Sequence, residues 1–169
     1  MNMNFKMQDR LHITSKDNDG TVLDERITFQ PDNLDHRVQK LLGNVDQFAD
    51  DLILDVGLAD VATMVMDRYD YISVGTGTTV PEHDDTGLES EVLDRALAVK
   101  DQTTTFFEDD TITFRGSFTP LTNYTIAESG IHLLAGASGD ICFARETFTP
   151  MVFYADRVVE IAWQIIFMR

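Results

Sequence analysis

The sequence has little lysine, a single cysteine and no long unbroken apolar run. With Cys142 alone, no intrachain disulfide can form, so burial and hydrogen bonding must hold the fold. The most apolar late stretch, Val158 to Met168, is interrupted by Glu160 and Gln164. It is shorter than the ~20 residues a bilayer-spanning helix needs. The start, Met1 to Arg10, is polar and reads as no secretion signal. Positive charge is scarce: Lys plus Arg is 13 against 29 Asp plus Glu, a net charge of −16. A surface that negative repels phosphate backbones and anionic lipid, so neither nucleic acid nor a membrane is expected as a partner.

What is present is acidic in a particular way. There are 21 Asp but 8 Glu, and 9 Arg but 4 Lys. Heavy use of the short carboxylate with little Lys is the composition expected of a salt-in halophile. At molar salt the screening length falls to ~3 Å, and crowded carboxylates no longer repel over distance. The chain has 169 residues, of which 43% are hydrophobic, enough for one core-forming domain with or without an extension.

Along the chain, Leu11 to Thr14 and Thr21 to Leu23 flank Asp17-Asn18-Asp19-Gly20 and predict a hairpin. Leu34, Val38, Leu41 and Leu42 share helical spacing up to Gly43. Residues 1–45 are therefore expected to form an arm of hairpin plus short helix, and 46–169 the main domain. Leu58, Val61, Ala62 and Val65 predict a second helix, and Tyr69 to Val74 a strand running into Gly75-Thr76-Gly77-Thr78-Thr79. The two glycines are expected to supply positive φ. Thr86 with Glu89 has the spacing of a capping box and predicts a helix ending near Ala96. Thr103 to Phe107 and Thr111 to Thr119 predict a hairpin, as do Tyr124 to Leu134 and Ile141 to Phe148. Val159, Ile161, Trp163, Ile165 and Phe167 alternate as one face of a final strand. The expected fold is mainly β, an antiparallel β-sandwich with two or three short helices and the N-terminal arm.

Chemistry-bearing motifs are missing. His12, His36, His83 and His132 belong to no metal-ligand spacing and are expected at surfaces or turns. Asp17-Asn18-Asp19-Gly20 opens like a calcium loop. Counted from Asp17, however, position six is Val22 and position twelve is Thr28, where Gly and Glu are required. The His83-Asp84-Asp85 run reads as a solvated loop. The Gly75–Thr79 loop lacks the Lys-Ser/Thr of a phosphate cradle. Cys142 is expected as a buried thiol, and Ser90 and Ser138 have no nucleophile elbow. No catalytic, cofactor-binding or metal residue is expected, and no enzyme activity.

From Tyr69 onward the order of motifs is similar to one family. Tyr71-Ile72-Ser73-Val74-Gly75-Thr76-Gly77-Thr78-Thr79-Val80-Pro81, then Asp85-Thr86-Gly87-Leu88-Glu89-Ser90-Glu91, resembles the "GTGTT-x-P" and "DT-x-L-x-x-E" pattern of structural proteins of tailed viruses. Three later landmarks follow in the same order: Phe114 to Phe118, Tyr124 to Ile131, and Phe143 to Phe148, before a closing strand over Val159 to Phe167. The likeness covers about residues 50–169. It departs at Gly87, where Ala is usual, and at the acidic insertion Glu82-His83-Asp84.

The resemblance implies a virion component of tail, baseplate or fibre that works by self-association and docking to other virion proteins. A capsid decoration or turret protein is the alternative. A host-surface-binding module, using aromatics such as Tyr124 or Tyr154, is a further one. With the acidic composition, it implies a haloarchaeal tailed virus. A homo-oligomer is expected, with Leu34, Val38, Leu41 and Leu42 of the arm seeking a partner surface.

Overall fold

The computed structural model describes residues 6–16, 20–29 and 54–168. Nine strands and one helix occur among them: β1 Lys6–Lys16, β2 Val22–Phe29, α1 Asp55–Arg68, β3 Tyr71–Gly75, β4 Glu91–Leu97, β5 Val99–Thr103, β6 Thr111–Phe118, β7 Tyr124–His132, β8 Cys142–Phe153 and β9 Val159–Met168. They form a five-stranded sheet, β2-β1-β9-β6-β5, and a four-stranded sheet, β4-β3-β7-β8, with every pairing antiparallel. This is the expected β-sandwich.

The alternation in β9 builds the core. Val159, Ile161, Trp163, Ile165 and Phe167 are all buried, alongside Ile112, Phe114 and Phe118 of β6. Ile72 and Val74 of β3 and Ile126 and Ile131 of β7 are also buried and belong to the same core. Each large side chain removed from water there contributes about 1.5–3 kcal/mol. At Gly116, an added Cβ would stand 3.2 Å from Ile72 and Ala96, so glycine lets the two sheets approach.

Helix α1 places Leu58 and Ala62 in the core and packs against β5, β6 and β9. Lys100 and Gln102 reach it from the β5 face. Lys100 Nζ donates to Met66 O at 2.6 Å near the helix C-terminus, where a cation meets unsatisfied carbonyls, and to Asp70 at 2.7 Å. Thr63 Oγ1 donates to Gln102 Oε1 at 3.1 Å.

Three expectations about the strands and helices change. The hairpin placed in a separate arm instead joins the sandwich. β1 pairs with β9 from Lys6↔Met168 to Ser15↔Val159, and Ile13 is buried. A long strand with an apolar inner residue gains more from ten residues of ladder than from standing free. The turn Asp17–Asp19 and the helix expected over Leu34–Leu42 lie outside the described residues. The helix expected from Thr86 to Ala96 is a strand, β4, after a loop. Glu89 does not close a capping box. Its carboxylate turns back onto the preceding loop, and Val92 and Ala96 pair with β3. One residue lies between Ile72 and Val74 on β3, while three lie between their partners on β4, so β4 carries a bulge with Leu93 at φ 64°. The expected hairpin at 103–119 forms, but its first strand is β5, and residues 104–110 are the connecting loop. Among the described residues no helix is long and apolar enough to cross a membrane.

Candidate functional site

The outer face of the four-stranded sheet is polar and largely closed to water. Register puts Tyr71, Ser73 and Gly75 of β3 beside His132, Gly130 and Glu128 of β7, with Arg145 and Thr147 of β8 next to them. The connection from β3 to β4, residues 76–90, folds back over this face.

Glu128 is the centre of that closure and is fully buried. Its Oε1 accepts from Gly77 N–H at 2.9 Å and Ser90 N–H at 2.8 Å. Its Oε2 accepts from Glu89 N–H at 3.0 Å and Arg145 Nε at 2.9 Å. A buried carboxylate tolerates its charge only when paired and hydrogen-bonded in this way. Arg145 also donates to Asp85 and to Thr79 O, the latter at 3.1 Å. Glu89 Oε2 accepts the N–H groups of Thr78 and Thr79 at 3.0 and 2.9 Å. The Glu82 backbone N–H, followed by Arg145, holds the Asp85 carboxyl below its ordinary range. Hydrogen bonds from Thr79 and Thr78 do the same for Glu89. Burial opposes the Arg145 charge, but Asp85 and Glu128 outweigh it and raise the guanidinium further.

The glycines of the Gly75–Thr79 loop serve space rather than positive φ. Among the described residues the glycines with positive φ are Gly20 and Gly139. A Cβ on Gly75 would collide with Glu128 Oε1 and stand 2.6 Å from Ser90 O; one on Gly77 would stand 2.5 Å from Glu128 Oε1. Gly130 follows the same logic: a Cβ there would meet Ala144 O and His132 Nε2 at 3.0 Å and Leu88 Cδ2 at 3.1 Å. Glu128 itself follows a register shift after Ile126.

A second network lies beside the first. His132, expected at a surface or turn, is completely buried. Its Nε2 is 2.7 Å from Ser73 Oγ and its Nδ1 is 2.6 Å from Asp140 Oδ2. Asp140 also accepts from Arg95 at 2.7 Å and from Leu134 N–H at 2.9 Å, and Arg95 clasps Glu91 at 2.6 and 2.8 Å. On the inner face, Trp163 Nε1 donates to Ser129 Oγ at 3.1 Å, which donates to Ser73 O at 2.8 Å.

The order Ser73–His132–Asp140 is that of a nucleophile, base and orienting acid. The hydroxyl is 1% exposed, however, and Ser73 lies in mid-strand between two partners, β4 and β7, so its surroundings leave no approach for a substrate. The set acts as a satisfied polar core. Sequence spacing could not reveal it, because the three residues meet only through strand register.

The remaining candidates are dispersed. His83 is exposed, Ser138 lies in the exposed β7–β8 loop, and Ser90, also exposed, gives its backbone N–H to Glu128 while its hydroxyl accepts from Thr76 Oγ1 at 3.1 Å. Cys142 is half-buried, its Sγ donates to Ala144 O at 3.3 Å, and burial pushes its thiol up to about 11, far from a reactive thiolate. Tyr124 packs against the core, and Tyr154 is exposed beneath Arg157. His12 lies in β1, His36 is outside the described residues, and among those described no three His, Cys, Asp or Glu converge as a metal site.

The second network titrates in a defined order. Burial holds His132 below its ordinary value despite the hydrogen bond to Asp140. Burial opposes ionisation of Asp140, but Leu134 N–H, His132 and Arg95 outweigh it and bring the carboxyl down to about 2. A histidine depressed in the fold binds fewer protons there than when unfolded, so stability falls as pH drops below about 6.5. A depressed carboxyl contributes fully above about 3.9 in the unfolded reference and loses that contribution towards its folded value. Urea midpoints should therefore decline in two stages, below pH 6.5 and again below pH 4. His132→Gln should flatten the first and lessen the Asp140 share of the second, since His132 helps hold that carboxyl down; an unchanged first stage would remove His132 as its source.

No protein-family model, no curated protein and no solved structure matches this chain.

Proposed function

We propose that this protein is a structural subunit of a tailed virus particle, in the tail, baseplate or fibre apparatus, acting by self-association and docking. The observation that supports it is where the family-like motifs meet. Gly75, Gly77, Thr78, Thr79, Asp85, Glu89, Ser90, Glu128 and Arg145 come from four of the five landmarks and are joined in one clamp. Their backbone N–H groups, carboxylates and guanidinium are bonded to one another and hold a loop against a sheet. Residues used in this way make a stiff block, as a load-transmitting assembly requires. The acidic composition fits a virus of a salt-in host.

Peptide mass fingerprinting and immunogold labelling of purified particles from the encoding system test this. Labelling at the tail supports the proposal, and labelling on head vertices moves the assignment to capsid decoration. A protein confined to the soluble cell fraction and absent from particles overturns it.

A further inference from the structure

Of the six asparagines in the chain, Asn123 alone has a hydroxyl residue two places on. With Tyr124 and not proline between them, Asn123 and Thr125 form the acceptor sequence for an N-linked sugar. A transferase joins the sugar to the amide and reads the hydroxyl two residues later. Three residues are a short pattern, so their placement in the fold decides. Tyr124 opens β7, pairs with Phe153 and packs against the core. Side chains alternate along a strand, and Asn123 and Thr125, on either side of this anchor, are both exposed. The two groups that recognition requires therefore stand in water on one side of the chain, where the β6–β7 loop enters β7.

The amide is held by its oxygen alone. The backbone N–H of Ala155 donates to Asn123 Oδ1 at 2.9 Å. A donor at that position requires the oxygen, so Nδ2 is the atom left over. Neither Nδ2 nor Thr125 Oγ1 has a hydrogen-bond partner among the described residues. An asparagine kept only to tie the β8–β9 loop would need no hydroxyl at position 125. Val152, the partner of Thr125 on β8, and Tyr154 beyond it are exposed beside the acceptor. A sugar ring carries C–H groups on its faces, and these two side chains offer the first ring an apolar floor with a polar end.

We propose that Asn123 is a glycosylation site. The sugar comes from an activated glycosyl diphosphate, carried by a lipid or by a nucleotide. Its C1–O bond to phosphate breaks and C1 bonds to Asn123 Nδ2. The diphosphate leaves with the electron pair, and one Nδ2 proton passes to a base of the transferase. The product keeps an N–H on Nδ2 and leaves Oδ1 untouched, so the bond from Ala155 survives the modification. Tyr124 and Thr125 are the first two residues of β7, and strand ends fray at far lower cost than strand centres. A transferase can therefore reach the acceptor without unfolding the sandwich. The site stands whether or not the chain belongs to a particle.

Mass spectrometry of the full chain from its native source tests this. Trypsin releases residues 116–145 as one peptide, with Asn123 as its one asparagine. That peptide should carry whole sugar units, localised to Asn123 by electron-transfer fragmentation. Thr125→Ala keeps the amide and should lose the added mass, whereas Thr125→Ser should keep it. A purely structural role for Asn123 would show no such dependence on residue 125. Added mass already on freshly made cytosolic chains identifies the nucleotide-linked donor, and mass gained only in the membrane fraction the lipid-linked one; either upholds the site. An unmodified peptide, added mass that persists in Thr125→Ala, or sugar localised to a serine or threonine overturns the proposal. An unmodified chain still found in particles overturns it alone and leaves the virion reading standing.

Discussion

Glu128→Ala is expected to leave the protein largely unfolded, or destabilised by about 3–5 kcal/mol, the cost of breaking a buried ion pair from one side. The substitution strips Arg145 of its buried partner and orphans the N–H groups of Gly77, Glu89 and Ser90 together. Each unsatisfied buried donor costs about 1–3 kcal/mol, although the penalties are not additive within one network. Set against a total stability of about 5–15 kcal/mol for a domain, this is a large fraction. Glu128→Gln should recover part of the loss. An amide oxygen can still receive Gly77 and Ser90, but its NH2 then faces the N–H of Glu89 and the Arg145 guanidinium, donor against donor. Urea denaturation with exposed Glu108→Ala as reference measures both. A Glu128→Ala midpoint equal to that reference would mean that the clamp contributes nothing to the fold.

Gly75→Ala should destabilise by about 1–3 kcal/mol or more, the range for overpacking a filled site. The new methyl would meet Glu128 Oε1 and stand 2.6 Å from Ser90 O, which already accepts Thr76 N–H at 2.9 Å and has nowhere to move. Gly87→Ala, in the same loop, meets nothing within 4 Å. It should be neutral or stabilising by about 0.4–1 kcal/mol, by restricting the unfolded chain. A methyl group thus fits at position 87 and does not fit at position 75. Thermal midpoints of the two variants decide this; equal midpoints would sink the steric account.

The core strands were legible in the sequence because period-two alternation is a local signal. Val159 to Phe167 and Ile112 to Phe118 both lie as their alternation requires. Thr86 to Ala96 was not legible as a strand. A Thr with Glu three residues on has the form of a helix start, and only the folded loop shows that the Glu89 carboxylate is taken by Thr78 and Thr79 N–H and its backbone N–H by Glu128. His132 was misplaced for the same reason. Its partners Ser73 and Asp140 reach it through strand pairing and a loop, and no spacing along the chain encodes that meeting. Gly75 and Gly77 were recognised as special positions, but the cause is a carboxylate from another strand and not their own backbone angles.

Leu93, held at φ 64° in the β4 bulge, bears on more than local geometry. β4 borders its sheet, and a border strand with regular spacing invites a foreign backbone to zip onto it. Two surplus residues throw the amide spacing out of step, so an intruding chain finds no continuous ladder. Crowding at high local concentration is where unwanted fibrils begin, and the bulge is a guard against it. On that flank, growth by strand addition is closed.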